Sequence, residues 1–344
     1  VSCRSVAILL DPVCQEHDTG KHIENRSRLQ VIEEAIEQSG LRRRLLSPAP
    51  RPATVEQIAT VHTMAYIEHL QAIAQRGGGW IDADTVVSPG SYRAALAAAG
   101  CAIAAVDVVL ARQAQAAFAL VRPPGHHARP NQGKGFCLFN NIAIATRHAL
   151  DTYQLERVLI VDFDAHHGNG TQETFYESQH VLYFSTHLFP FYPGTGLASE
   201  IGAGAGRGYT INVPVPALTD DFGFRRIYGE ILVPLAQRYR PQMILVSAGY
   251  DVHWADPLTY LGVSVNGIAN IVAIVAELAD SLCQGRMVFT LEGGYDRAAL
   301  AASCIATLHV LLGDKDINDP LGPSRQAGPD VSDAIAQVKR LHAL

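Results

Sequence analysis

Residues 158–170 read VLIVDFDAHHGNG. Four apolar residues, Val158 to Val161, run directly into Asp162, Phe163 and Asp164, then into two adjacent histidines, His166 and His167, and into Gly168 and Gly170. A short unbroken apolar run that is rich in β-branched residues and closed by turn residues is the pattern of a strand buried on both faces. Comparable runs recur as VAILL from Val6, AFALV from Ala117, VLYFS from Val181, YTINVPV from Tyr209, MILVSAG from Met243 and MVFTLEGG from Met287. Helical periodicity fills the intervals, over Leu29 to Ser39, Met64 to Arg76, Ser91 to Leu110, Asn141 to Tyr153, Phe222 to Arg238, Asn266 to Cys283 and Asp296 to Leu312. This alternation predicts βαβ units and an α/β fold built on one doubly wound parallel sheet.

No internal repeat or low-complexity linker divides the 344 residues, so a single domain is expected over 1–344, with a core at about 5–312 and a helical extension over 313–344. A composition of 48% hydrophobic and 17% charged residues is that of a globular chain. Gly, Asp or Arg interrupts the apolar runs before the ~18 residues that a membrane span needs, so none is expected. The opening VSCRSVAILLDPVCQEHDTG reads as a first strand rather than a secretion signal. The cysteines, Cys3, Cys14, Cys101, Cys137, Cys283 and Cys304, include no C-x-x-C pair, which argues against a disulfide framework and a thiolate metal site and favours a reducing, cytoplasmic setting. A net charge of −6 argues against nucleic acid as a direct ligand, and the basic run Arg42 to Arg44 reads as a solvated helix end.

In a parallel sheet, ligands bind beyond the carboxyl ends of the strands. The polar clusters fall there: RPPGHHA follows AFALV, DFDAHHGNG ends VLIV, STH follows VLYF, AGYDVHWADP follows MILVS, and EGGYD follows MVFTL. Side chains two apart on an extended strand point the same way, so Asp162, Asp164 and His166 share a side. An open zinc site takes about three protein ligands, and Asp164, His166 and Asp251 supply two carboxylates and an imidazole. Helix capping would account for one of these acids but not for the set. Bridging carboxylates for a second metal have no place at Gly168 or Gly249, which favours one ion, and Fe(II), Mn(II) or Co(II) suits the same donors as zinc.

His126 and His127 follow two prolines and Gly125, which present both rings at the sheet rim as candidates for general acid–base work. Asp162 and Asn169 are the natural partners for their far nitrogens. Tyr295, after two glycines, is placed to donate to a developing oxyanion. A lone histidine or tyrosine is more often a packed core residue, and it is the company of the other clusters that reverses that reading.

The ordered motifs RPPGHHA, GFCLFNN, DFDAHHGNG, YFSTH, PGTG, SAGYDVHWADP and LEGGYD resemble the zinc-dependent histone deacetylase family, over roughly residues 15 to 310 and closest to its class II type. The resemblance implies a three-layer α/β/α, arginase-like fold around an eight-stranded, mostly parallel sheet. It implies hydrolysis of an acetylated lysine in a peptide or protein, or of a small acetylated amine. By position it gives Asp164, His166 and Asp251 as zinc ligands, His127 as general base and acid, His126 with Asp162 as its electrostatic partner, and Tyr295 as the carbonyl-polarising phenol. Phe136 and Tyr192 would wall a narrow tunnel beside the Gly135 carbonyl, Asp84 would hold substrate amides at the rim, and Arg28 would lie beneath the zinc. The family also implies potassium, one ion at Asp162, Ser185 and the main-chain oxygens of Asp164, His166 and Thr186, and a second at main-chain oxygens near Phe175, Ser178, Val181 and Tyr209. Two departures stand out. Ile23 and Arg26 replace prolines in HIENRSRL, which predicts a less rigid or differently shaped loop before Arg28, and Leu258 stands where polyamine-selective relatives carry an acid. An acetylpolyamine amidohydrolase and a non-catalytic acyl-lysine binding protein are the competing readings.

Overall fold

The computed structural model describes residues 4–344, so Cys3 lies outside the described residues. Among the described residues there are ten strands: β1 (Val6–Leu9), β2 (Leu45–Leu46), β3 (Gly79–Trp80), β4 (Val86–Val87), β5 (Ala116–Ala119), β6 (Val158–Asp162), β7 (Val181–Leu188), β8 (Thr210–Val215), β9 (Met243–Ala248) and β10 (Met287–Leu291). Eight of them form one sheet in the order β2-β1-β5-β10-β9-β6-β7-β8, every pairing parallel, and β3 with β4 makes a small antiparallel ribbon. Every residue of β1, β5, β6, β7, β9 and β10 is buried, as a sheet covered on both faces by crossover helices requires. The single-domain α/β fold with a parallel eight-stranded sheet is the one expected.

The chain winds outward in two directions, β5 lying beside β1 while β6 leads to β7 and β8, and β9 and β10 return to fill the middle. The loops after the four adjacent central strands therefore open into one crevice. Register places a polar row at that end: Asp162 of β6 pairs with Ser185 of β7 and Ser247 of β9, and Ser247 with Thr290 of β10.

Six predicted helices appear within two residues of their expected limits, and two of these, Ser91–Leu110 and Asn141–Tyr153, match at both ends. Asp296 caps rather than begins its helix, accepting from the Ala299 N–H. The segment expected as one helix over Phe222 to Arg238 is divided into Asp221–Ile227, a π turn at Tyr228–Leu232 and Val233–Tyr239. Pro234 explains the break, because its ring cannot approach the carbonyl of residue 230 and it has no N–H to donate. One further correction concerns composition. Ser91–Leu110 and Val265–Cys283 are each long and apolar enough to cross a membrane by length and composition, contrary to the expectation, because the two charges in each, Arg93 and Asp107 in the first and Glu277 and Asp280 in the second, leave its mean hydropathy high. Both pack inside the protein, with 72% and 56% of their apolar windows buried. The basic run Arg42 to Arg44 belongs to a short 3-10 turn, with Arg42 paired to Glu37 and Arg44 to Asp314. After residue 313 the chain is irregular until Ser332–His342, a helix that lies against β8.

Candidate metal centre and active site

Strand ends build the site from four directions. Asp164 and His166 follow β6, Asp251 follows β9, His126 and His127 follow β5, and Tyr295 follows β10. The His166 Nδ1 lies 3.0 Å from Asp164 Oδ1 and 3.0 Å from Asp251 Oδ2, and one ligand atom from each residue falls within 4.8 Å of the others. Four-coordinate zinc with bonds of about 2.0–2.1 Å has donors about 3.3 Å apart, so this trio fits such an ion. Backbone donors fix the carboxylates: Gly293 N–H reaches Asp164 Oδ2 at 2.8 Å, His166 N–H reaches Asp164 Oδ1 at 2.9 Å, and Ala165 N–H reaches Asp251 Oδ1 at 2.9 Å. A side chain at Gly249 would begin 2.0 Å from Asp164 Oδ2, one at Gly293 2.2 Å from Asp251 Oδ2, and one at Gly168 2.2 Å from Asp162 Oδ2. The cradle has no room for further bridging carboxylates at these positions.

Electrostatics separate the histidines. Burial opposes a charge on His166, but Asp164 and Asp251 outweigh it and raise the ring to about 10. The trio thus attracts positive charge, and a divalent cation that takes the place of the imidazole proton satisfies the same field. His126 is raised to about 10, burial again losing to the carboxylates of Asp164 and Asp162, and its Nδ1 donates to Asp162 Oδ2 at 3.1 Å. His127 goes the other way, pushed well down by burial and by the charges on His126 and His166. Its Nδ1 bonds to the neutral amide oxygen Asn169 Oδ1 at 2.9 Å, which leaves Nε2 as the free acceptor. The two rings are 4.0 Å apart, and the surrounding charges and burial favour the charged form of His126 and the neutral form of His127.

A cavity of about 220 Å³ ends on these groups. Phe136, Phe191, Tyr192, Leu258 and the Gly135–Cys137 turn wall it, Asp84 also lines it, and His126, His127, Asp164, His166 and Tyr295 face it. Gly135 and Phe136 both adopt positive φ, +55° and +69°, and a Cβ on Gly135 would meet His127 Cδ2 at 2.5 Å and the Tyr192 hydroxyl at 2.8 Å. A bulky residue in the left-handed region is strained, and here the turn aims the Phe136 ring at Tyr295, 5.8 Å away edge to face. A larger cleft of about 680 Å³ opens at the amino ends of β6 to β8 among Glu156, Arg157, His180 and Tyr209, remote from all of these clusters.

Of the other residues singled out in the sequence, Ser185 and Thr186 are buried on β7 beside Asp162, and Phe175, Ser178, Val181 and Tyr209 gather near the amino end of β7. Arg28 is not on the cavity wall, where a substrate contact would stand. It is enclosed behind Tyr295, its guanidinium carbon 4.9 Å from the phenol ring centre, with Nε donating to Gly294 O at 2.7 Å and Nη2 to Glu292 O at 2.6 Å. The loop before it is not slack despite lacking prolines. Asn25 bonds to the His22 carbonyl and accepts from the Ser27 N–H, and Arg26 pairs with Asp18.

Three groups escaped the sequence reading. Glu24, fully buried, binds Arg122 through both carboxylate oxygens, at 2.5 and 2.7 Å, and Arg28 at 3.2 Å. Glu292 accepts from the Gly125 and His126 N–H groups, at 2.7 and 3.1 Å, and from Ser247 Oγ at 3.0 Å, and so fixes the histidine turn from below. Asp256 accepts from the N–H groups of Tyr295 at 2.7 Å and Leu258 at 2.9 Å, tying the tyrosine loop to the tunnel wall. A charge at the end of an apolar strand, as in MVFTLE, demands a partner and was the available signal for Glu292. Glu24 and Arg122 sit in irregular segments and offered none.

Comparison with known proteins agrees with this geometry. Residues 22–311 match the histone deacetylase domain. A probable deacetylase of Archaeoglobus fulgidus is 43% identical over 80% of this chain and 76% of its own length. A histone deacetylase-like amidohydrolase of Pseudomonas aeruginosa is 36% identical over 92% of this chain and 89% of its own. The crystal structure of the HDA15 HD domain superposes with a TM-score of 0.90 at 32% identity, covering 99% of this chain and 95% of that one. The chain belongs to the histone deacetylase family.

Proposed function

We propose that the chain is a zinc-dependent deacetylase that hydrolyses N-acetyl-lysine-type amides. The observation that carries this reading is the meeting of the Asp164, His166 and Asp251 trio with the paired His126 and His127 rings at the end of one apolar-walled cavity. An ion held by the trio, with zinc the best match to the donors, supplies a Lewis acid for the substrate carbonyl and makes water acidic enough to be deprotonated near neutral pH. The residues do the rest. Phe136, Tyr192 and Leu258 enclose the alkyl chain and exclude solvent. His127 takes the proton of the attacking water on Nε2, the nitrogen that Asn169 leaves free. His126, whose charged form is favoured by Asp164 and by the hydrogen bond to Asp162, offsets negative charge as the carbonyl becomes tetrahedral. Tyr295 donates its hydroxyl hydrogen bond to that oxygen, and burial holds its phenol far above 10, so it stays protonated. His127 then passes its proton to the leaving nitrogen as the C–N bond breaks, releasing the lysine amine and acetate.

Leu258 on the wall favours an acyl-lysine over an acetylated polyamine, because an apolar side chain offers a second ammonium no counter-charge. Potassium, by the same family reading, would bind at Asp162 and Ser185 and at the carbonyls around Phe175, Ser178, Val181 and Tyr209. The test is acetate release from an acetyl-lysine peptide and from acetylspermidine, before and after chelation and with zinc, Fe(II), Mn(II) or Co(II) restored. Peptide turnover that vanishes with the metal and returns with it is expected, with the polyamine the poorer substrate. A folded, metal-loaded protein that releases acetate from neither compound refutes the proposal.

A further inference from the structure

The cavity does not end abruptly at its mouth. Phe191 lines it, 5.4 Å ring to ring from the His166 imidazole, and on its outer side meets Tyr260 edge to face at 6.2 Å. Tyr260 is 65% exposed, and Tyr192 and Leu218 beside this edge are each 37% exposed. Exposed aromatic rings on a flexible loop would mean little, but this loop is fixed. Leu258 N–H donates to Asp256 Oδ1 at 2.9 Å, the Thr259 hydroxyl donates to the carbonyl of Asp251, and the Tyr260 carbonyl accepts from Leu218 N–H at 2.6 Å. The loop that supplies the gating Leu258 thus hangs from the metal-binding segment itself, and its aromatic tip is presented to solvent ready-formed. Asp84 also lines the cavity, so the apolar wall is joined by one acid.

Length decides what reaches this surface. An extended lysine side chain puts its Cα about 7 Å from the acyl carbon, and the next residue's Cα lies about 3.8 Å further along the chain. Tyr260 stands two ring contacts out from His166, which is where the neighbour of the acylated lysine would lie. We propose that Tyr260, with Phe191 and Leu218, binds a bulky apolar side chain adjacent to the acyl-lysine, so that the substrate is a peptide or protein segment with a hydrophobic neighbour rather than a small free amine. This inference rests on the reading of the chain as an acyl-lysine hydrolase.

The experiment compares kcat/KM for short acetyl-lysine peptides carrying Leu, Phe, Gly or Asp on either side of the lysine, with wild type and Tyr260→Ser, alongside a minimal acetyl-lysine amide that has no flanking residue. Burial of one such side chain predicts a preference of about tenfold for Leu or Phe over Gly on one side, lost in Tyr260→Ser. Activity on the minimal amide is the same in both proteins. Equal rates on Leu and Gly peptides in the wild type overturn the inference, and so does a preference that survives in Tyr260→Ser. So does a variant that turns a dimer into a monomer in sedimentation without altering peptide choice, since the surface would then serve a second copy of the chain. A metal-loaded protein inactive even on the minimal amide defeats the parent reading instead. Fluorescence anisotropy of the same labelled peptides then decides the surface: tighter binding of Leu than Gly peptide, abolished by Tyr260→Ser, supports it, and equal binding refutes it.

Discussion

Replacing Glu24 by Gln removes one negative charge from a site with no exposure to solvent. Glu24 answers two guanidinium groups, Arg122 and Arg28, both as fully enclosed as itself. Burial would raise its carboxyl, but Arg122 foremost, then His17 and Arg28, hold it well below the ordinary range. Arg122 Nη1 already lacks a partner, so the substitution leaves two buried cations with no counter-anion. Breaking a buried pair in this way costs about 3–5 kcal/mol. With an unfolding entropy of roughly 2.1 cal/mol/K per residue, the 344-residue chain loses roughly 0.7 kcal/mol of stability per degree near its midpoint, so Glu24→Gln lowers Tm by about 4–7 °C. Calorimetry at matched metal content is the assay. The sign with pH follows from the lowered carboxyl: its contribution is complete above the unfolded pKa of about 4.3 and is lost as pH falls toward the folded value, so the gap between wild type and variant narrows in acid. Adding Arg122→Met to Glu24→Gln should recover part of the loss, because one uncompensated cation goes with it. A Tm unchanged within a degree, or a gap that widens in acid, would refute the view that this cluster is a stabilising ion network.

Other substitutions probe the remaining links. Tyr295→Phe should keep its metal and lose on the order of 10²–10³ in kcat on acetyl-lysine peptide, and a wild-type kcat removes the phenol from the reaction. Asp251→Ala should lose bound metal, so an unchanged ion content by elemental analysis refutes its ligand role. Gly135→Ala must fit a Cβ at 2.5 Å from His127 at a positive φ, and should cost about 1–3 kcal/mol of stability and most of the activity; normal turnover would mean that the turn tolerates displacement. His62, held by burial near 4, donates from Nδ1 to Arg129 O and accepts at Nε2 from Asn140 N–H, a neutral tautomer. Its contribution is present above the unfolded pKa of about 6.5 and falls by roughly 1.4 kcal/mol per unit as pH drops toward the folded value. His62→Gln should flatten the stability curve over pH 6.5 to 4 by that slope, and an unchanged slope under acid titration of Tm would refute it.

The site was legible because its chemistry is written where buried strands stop. Asp162, Asp164 and His166 stand out against VLIV, and the parallel-sheet rule alone carried Asp251, His126 and Tyr295 to the same crevice. The strands were legible for a related reason, that runs such as MILV have no polar face to confuse with a helix. Where the pattern failed, a partner distant in sequence or a single residue decided the outcome. Pro234 broke a periodic segment that otherwise read as one helix. Ser91–Leu110 is apolar almost all round because it is enclosed, and composition does not distinguish enclosure by protein from enclosure by lipid. Arg28 and Glu24 lie four residues apart, yet their roles depend on Arg122, Glu292 and Gly294, far away along the chain. Two-residue β2 is too short to carry any periodicity at all.

That last strand bears on how the molecule behaves in a crowd. A wide sheet invites another chain to add itself along an unpaired margin, the first step toward fibrils and swapped assemblies. Here one margin is the stub Leu45–Leu46, and the helix Ser332–His342 lies against the other. Trimming that helix would bare β8 and should raise the protein's tendency to precipitate, with the catalytic crevice still intact.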